Sequence, residues 1–179
     1  MEHLRQLQAR YLRAREKRWF RWSADAVLFL LILAGISAWQ TRTHLSGVPA
    51  PPVTLATLDG KTLSLDSLKG KPVLVAFWAP WCGVCKTESQ NVSWTQRLVG
   101  DRAHVVSIVS SYDDLGSVQA YVRDRGVDYP VLLGDDALVR GQFRVDAFPT
   151  VYFLDADGRI KRSAVGYTTT VGLLTRLLF

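Results

Sequence analysis

The chain has 179 residues, 48% of them hydrophobic and 11% aromatic, which suits one ordinary domain with a short appendage and excludes a largely disordered polymer. The formal net charge is +6, but residues 1–45 hold eight Lys or Arg against three acids, a net of +5, and leave +1 for everything after them. The basic excess lies beside an apolar run rather than on a folded face, which argues against a nucleic-acid binder, and two cysteines three positions apart are too few and too close to staple a secreted fold.

Residues 1–21 are polar and basic, with Leu4, Leu7, Tyr11 and Ala14 at helical spacing. They read either as a cytoplasmic tail or as an amphipathic helix on an anionic membrane face. The run 22–39 (WSADAVLFLLILAGISAW) carries one charge, Asp25, and none follows until Arg42. Eighteen helical residues span about 27 Å, close to a bilayer core of about 30 Å. Trp19, Trp22 and Trp39 stand where an aromatic belt would lie, and seven basic residues precede the run. This pattern predicts a transmembrane anchor over 22–41, with the N-terminus in the cytoplasm and everything after residue 42 exported. A cleaved signal peptide, using the small residues Gly35 and Ser37, is the competing reading; the long basic leader favours a retained anchor. Residues 42–52 (RTHLSGVPAPP) read as a semi-extended spacer, and the folded domain is expected over 53–179.

That domain has a mixed α/β pattern. Residues 53–57 and 62–65 alternate around Asp59-Gly60 and predict a β-hairpin. The continuous apolar run 72–78 (PVLVAFW) predicts a buried central strand, and 104–110 (HVVSIVS) a second. Helices are predicted from Cys82 to about residue 99, over 114–125 with Gly126 as its stop, and over 137–143. Residues 151–155 and 159–166 flank Asp157-Gly158 as a hairpin. Residues 170–178 close the chain as an amphipathic helix with Leu173, Leu174, Leu177 and Leu178 on its core face. Strands alternating with helices imply parallel pairing first, with the late hairpin adding an antiparallel edge.

The chemistry concentrates at Phe77-Trp78-Ala79-Pro80-Trp81-Cys82-Gly83-Val84-Cys85-Lys86, between a buried strand and a helix. Cys82 at the helix start would meet free N–H groups and the helix dipole, both of which favour a thiolate. Cys85, one turn further in, is expected to be more buried and less ionised. Two cysteines at i and i+3 can bridge, so Cys82 reads as the attacking thiol and Cys85 as the resolving one. No charge lies between them in Gly83-Val84, which points to a moderately lowered Cys82 value and a reducing to intermediate potential.

The segment WAPWCGVCK resembles the active site of the thioredoxin superfamily, and two further features match. Phe148-Pro149-Thr150 before a strand resembles the family's cis-proline loop, which faces the CxxC and contacts the substrate backbone. The hairpin 53–65 and Gly70-Lys71-Pro72-Val73-Leu74-Val75 resemble the exported, membrane-anchored TlpA- or ResA-like branch. The ending Val165-Gly166-Tyr167-Thr168-Thr169 is similar to the ScsD type, associated with copper tolerance. The resemblance covers about 53–179. It implies a thioredoxin-like fold, a mixed sheet flanked by helices with an N-terminal hairpin extension, and a protein-disulfide oxidoreductase needing no cofactor. It also implies that Glu88, three residues after Cys85, is a proton acceptor that tunes the cysteines. Two positions depart from thioredoxins proper: Ala76 stands where they carry a buried Asp, and Gln90 where they carry a helix Pro. With Ala76 unable to titrate, a protein-borne base near Cys85 would be Glu88 or Lys86.

Trp78 reads as core packing, and Trp81 as part of an apolar docking surface together with Phe148, Pro149 and Thr150. Pro149 is expected to be cis, after an aromatic in a turn entering a strand. His3, His44 and His104 are scattered, so no metal site is expected, and Asp113-Asp114 and Asp135-Asp136 read as helix starts. The leading function is disulfide exchange on exported proteins in a bacterial periplasm, with electrons supplied by another membrane protein, because the single apolar run contains no cysteine. The alternative is a Cu(I)-handling module with Cys82 and Cys85 as soft ligands.

Overall fold

A computed structural model of the chain describes residues 27–29 and 47–179. The chain divides into two units, Met1–Gln40 and Thr41–Phe179, and the fold and the site belong to the second. Apart from a helical turn at 27–29, the predicted tail over 1–21, anchor over 22–41 and first half of the spacer lie outside the described residues. Among the described residues no helix is long and apolar enough to cross a membrane.

The centre of the domain is β3 (Val73–Trp78), whose six residues are all buried. A strand covered on both faces needs an unbroken apolar run, and VLVAFW supplies one. It lies in the middle of a five-stranded sheet. On one side it pairs in parallel with β4 (His104–Val109), which pairs in parallel with β5 (Val131–Leu133). On the other side it pairs antiparallel with β6 (Thr150–Leu154), and β6 with β7 (Ile160–Val165), as the late Asp157-Gly158 turn requires. The period of two along β3 divides the core. Val73, Val75 and Phe77 face one layer with Ile108, Tyr152, Val139 and Phe143. Leu74 and Ala76 face the other, where α1 (Gly83–Val99) and α3 (Thr170–Leu178) lay down Val92, Val99, Leu173 and Leu177. Leu174 and Leu178 pack at the margin of this second layer, so the predicted core face of α3 holds, with two residues central and two peripheral.

The helix α2 (Leu115–Arg125) starts where the Asp pair predicts, since Asp114 accepts the Ser117 N–H at 2.8 Å. It stops at Gly126, whose φ of 61° is left-handed and suits glycine. Val118 and Tyr121 of α2 bury against Trp78 and Val109 at the ends of β3 and β4.

Both edges of the sheet are covered, and the cover begins earlier in the chain than residue 53. The hairpin of β1 (Thr54–Ala56) and β2 (Thr62–Ser64) lies along β5, where Thr57 bridges Leu132 and Leu58 N–H donates to Val131 O at 2.9 Å. At the other edge Gly47, Val48 and Ala50 exchange hydrogen bonds with Gly158 and Ile160, and Pro49 bridges Arg159. Part of the Pro-containing stretch is therefore sheet edge rather than spacer, and it satisfies backbone groups that would otherwise invite another chain. Two other elements differ from expectation. The strand β5 has no counterpart in the predicted elements, because three apolar residues after Pro130 give too short a run; its register comes from β4. Residues Ala137–Gln142 wind as a π-helix rather than the ordinary helix expected over 137–143.

Candidate active site

The turn between β3 and α1 places the cysteines. Cys82 is the N-cap of α1, in extended backbone conformation, and its Sγ accepts the Cys85 N–H at 3.2 Å. Cys82 and Cys85 are joined by a disulfide, with Cα atoms 5.3 Å apart. The N–H that reaches Cys82 Sγ is one of the donors that a helix start leaves without an intrahelical partner. On cleavage of the disulfide the same donor and the helix dipole favour a thiolate at Cys82. Both cysteines are buried, Cys85 slightly more than Cys82, in the order expected.

Around this turn the side chains are arranged from rim to interior. Trp81 is 66% exposed. Its indole N–H donates to Ser111 O at 2.8 Å, and its ring meets Phe148 edge-on at 6.1 Å. Ser111 itself has a φ of 54°, an unusual conformation for a residue with a Cβ, and its hydroxyl donates to Asp136 Oδ1 at 2.5 Å. Trp78 is buried and stacks on Tyr121 with centroids 4.1 Å apart, as core packing requires. The Phe148–Pro149 bond is cis, and Phe148 packs against the cluster that contains both cysteines. Thr150 opens β6, buried, with its hydroxyl on Ala147 O at 2.8 Å. On the other side of Trp81 an open groove of about 360 Å³ runs toward α2, lined by Lys86, Tyr112, Tyr121 and Arg125.

Glu88 is on the same face of α1 as Cys85, one turn on, and is buried. Its Oε1 accepts the Thr168 N–H at 2.9 Å. Burial pushes its carboxyl up to about 7, while the hydrogen bonds from Thr168 pull the other way. Ala76 is buried on β3, with no titratable atom, and Gln90 is turned outward, donating to Arg125 O at 2.6 Å. Lys86 is half-buried at the groove. Tyr121, whose hydroxyl is pushed up to about 12 by burial, and Tyr129, also pushed up by burial, complete the surroundings of Glu88.

Among the described residues no group of three or more His, Cys, Asp or Glu could hold a metal ion. His104 begins β4; His3 and His44 lie outside the described residues. The residues that sequence reasoning passed over are Thr168, which supplies the partner of Glu88 through its peptide N–H, and Ser111, which supplies the partner of Trp81 through its carbonyl. Both act through backbone atoms, which every residue has, so no residue type announces them.

The geometry agrees with the known proteins that this chain resembles. The family model described as Redoxin matches residues 45–176. The thioredoxin-like protein YneN of Bacillus subtilis is 31% identical over 157 residues, covering 83% of this chain and 92% of that protein. The thiol-disulfide oxidoreductase ResA of the same organism is 28% identical over 123 residues, 69% of each chain. Among solved structures, a secreted disulfide oxidoreductase of Mycobacterium tuberculosis superposes with a TM-score of 0.63 at 26% identity, covering 70% of this chain and 94% of that one.

Proposed function

The chain belongs to the redoxin family and is a thiol–disulfide oxidoreductase, and on that premise we propose that it is tethered to a bacterial cytoplasmic membrane and reduces disulfides of exported proteins. The observation that carries the reading is the Cys82–Cys85 disulfide closed at the start of α1, with an N–H already on Cys82 Sγ. This is the oxidised end of a two-electron cycle. In the reduced protein the Cys82 thiolate attacks a sulfur of the partner's disulfide, forming a mixed disulfide and expelling one partner thiolate. Cys85 loses its proton to the Glu88 carboxylate and attacks Cys82 Sγ. The second partner thiolate leaves and the Cys82–Cys85 disulfide is restored. The partner gains two electrons and this chain loses them, so a membrane protein bearing a dithiol must reduce it again. Trp81 and Phe148, beside the cis Pro149, form the surface on which the partner's chain docks; Thr150, expected to share it, is buried beneath with its hydroxyl on Ala147 O.

The reducing direction draws on the uncharged Gly83-Val84 between the cysteines, which leaves Cys82 only the helix start to lower its proton affinity. The tether draws on the uncharged stretch 26–41 after seven basic residues. A Cys85→Ala variant should hold partner proteins as mixed disulfides on Cys82, separable by reducing agent. In intact cells the wild-type cysteines should be trapped mainly as free thiols by a mass-adding alkylating agent. The full chain should stay with the membrane after alkaline extraction. Mainly oxidised cysteines under these conditions would reverse the direction, and a reduced protein that holds Cu(I) one-to-one while leaving insulin disulfides intact would replace the reading with metal handling.

A further inference from the structure

One short loop touches both sides of the site. Residues 166–169 connect β7 to α3, and three hydrogen bonds tie them to the cis-proline and to α1. Gly166 N–H donates to Pro149 O at 2.8 Å, which ties the loop to the cis-proline. Thr168 N–H donates to Glu88 Oε1 at 2.9 Å. The Thr168 carbonyl accepts from Asn91 Nδ2, also at 2.9 Å. Asn91 is on α1, three residues after Glu88, and its other amide end is occupied as well, since Thr170 hydroxyl donates to Asn91 Oδ1 at 3.2 Å. The two ends of one side-chain amide therefore hold the chain just after the peptide that serves Glu88, at the Thr168 carbonyl and at the Thr170 hydroxyl that opens α3. Only a residue with a donor and an acceptor side by side can do this; Leu offers neither, and Asp would set an oxygen against the Thr168 carbonyl.

We propose that Asn91 is a positioning residue for Glu88: it holds the Thr168 segment so that the Thr168 N–H stays on the buried carboxylate. The proposal rests on the reading of Glu88 as proton acceptor only for its consequence in catalysis, not for the geometry. The hydrogen bond favours the ionised carboxylate and opposes the effect of burial, so loosening it makes Glu88 hold its proton to higher pH. The other titratable groups facing Glu88 are Cys85 on its own helix, Tyr121 of α2 and Tyr129 after it, with Arg125 acting on Tyr121 and Asp128 on Tyr129. Both tyrosines are pushed upward and stay neutral in the relevant range. From α3 the only charged residue is Arg176, which is exposed and bonds Gly172 O. Glu88 is thus the carboxyl whose titration reports the clamp.

The experiment is a direct titration of Glu88 by carbon NMR of the side-chain carboxyl in the full chain, with Cys82 and Cys85 oxidised. Asn91→Leu should raise the Glu88 midpoint by about one pH unit or more, the scale of losing a hydrogen bond to a charged group. Thr170→Val should raise it less, and Thr170→Ser, which keeps the hydroxyl, should restore the wild-type midpoint. In the reduced protein the pH profile of thiol alkylation should move upward with the carboxyl. An unmoved midpoint in Asn91→Leu with native near-ultraviolet dichroism overturns the proposal; should that variant fail to fold, an unmoved midpoint in Thr170→Val does so. Glu88→Gln separates the two layers of the argument. If it leaves the alkylation profile unchanged, the proton-acceptor reading falls, while the midpoints of the Asn91 and Thr170 variants still decide the clamp.

Discussion

Trp81 and Glu88 are seven positions apart on either side of the disulfide, and the fold treats them in opposite ways. The large apolar indole is 66% exposed and the carboxyl only 2%. Ordinary partitioning would reverse both. Each exception is held by one hydrogen bond from or to the backbone of a distant loop: Trp81 to the Ser111 carbonyl, Glu88 from the Thr168 N–H. The comparison teaches that the start of α1 holds one misplaced group at its rim and another beneath, and that the cost of each falls on a different property. Exposure of Trp81 costs little stability, since a scattered surface hydrophobe is normal. Burial of Glu88 costs stability whenever the group is ionised.

The largest expected effect falls on the disulfide between them. Cys82→Ser should reduce turnover of insulin disulfides to background, because the remaining Cys85 is buried and further from the helix start. The same change should cost little in thermal stability, since a bridge across three positions constrains the unfolded chain weakly. A variant with residual turnover would mean that the rim, not the helix start, selects the nucleophile.

Next comes Glu88→Gln, which tests the interior half of the comparison through stability. The folded carboxyl titrates at about 7 against a usual 4.5, so the folded state holds the proton more tightly. The associated stability is fully present below about pH 4.5 and is lost as pH rises through 7. The amide cannot ionise and can still accept the Thr168 N–H. Urea unfolding should therefore find the two proteins similar at pH 4 and the variant more stable by about 3 kcal/mol above pH 8. A constant difference at all pH values would place the titration elsewhere.

The same contrast explains what was legible in the sequence. Cys82, Cys85, Trp81 and Pro149 are residue types whose chemistry or conformational constraint is read from the letter and its neighbours. The central strand is equally plain, because VLVAFW has no polar interruption. The α1 boundary at Cys82 and the Gly126 stop follow from local capping. By contrast β5 is three residues long and exists because β4 offers it a partner, and the sheet-edge pairing of 47–50 depends on β7 being bare at that position. Burial of Glu88 was equally out of reach: a Glu in an amphipathic helix reads as solvated, and only Tyr121 and the loop before α3, which meet it from distant parts of the chain, make the difference. What could not be read is tertiary placement by backbone groups, which carry no sequence signature.

The smallest expected effect concerns the rim. Trp81→Ala removes an exposed ring, its hydrogen bond to Ser111 and its edge contact with Phe148. Stability should change by less than about 1 kcal/mol, as for other exposed positions. Turnover of a protein disulfide should suffer instead through KM, which is expected to rise roughly 5- to 30-fold, the effect of losing one aromatic anchor worth about 1–2 kcal/mol. A small aromatic disulfide does not span the rim, so its rate should stay near wild type. Phe148→Ala should act in the same direction. Since the two rings touch, the double variant should lose less than the product of the single effects, by the ~0.5–1.5 kcal/mol typical of an aromatic pair. If small and protein substrates lose rate equally, Trp81 instead shapes the reactivity of Cys82. The rim and the interior would then be two parts of one electrostatic environment rather than separate devices for docking and for proton transfer.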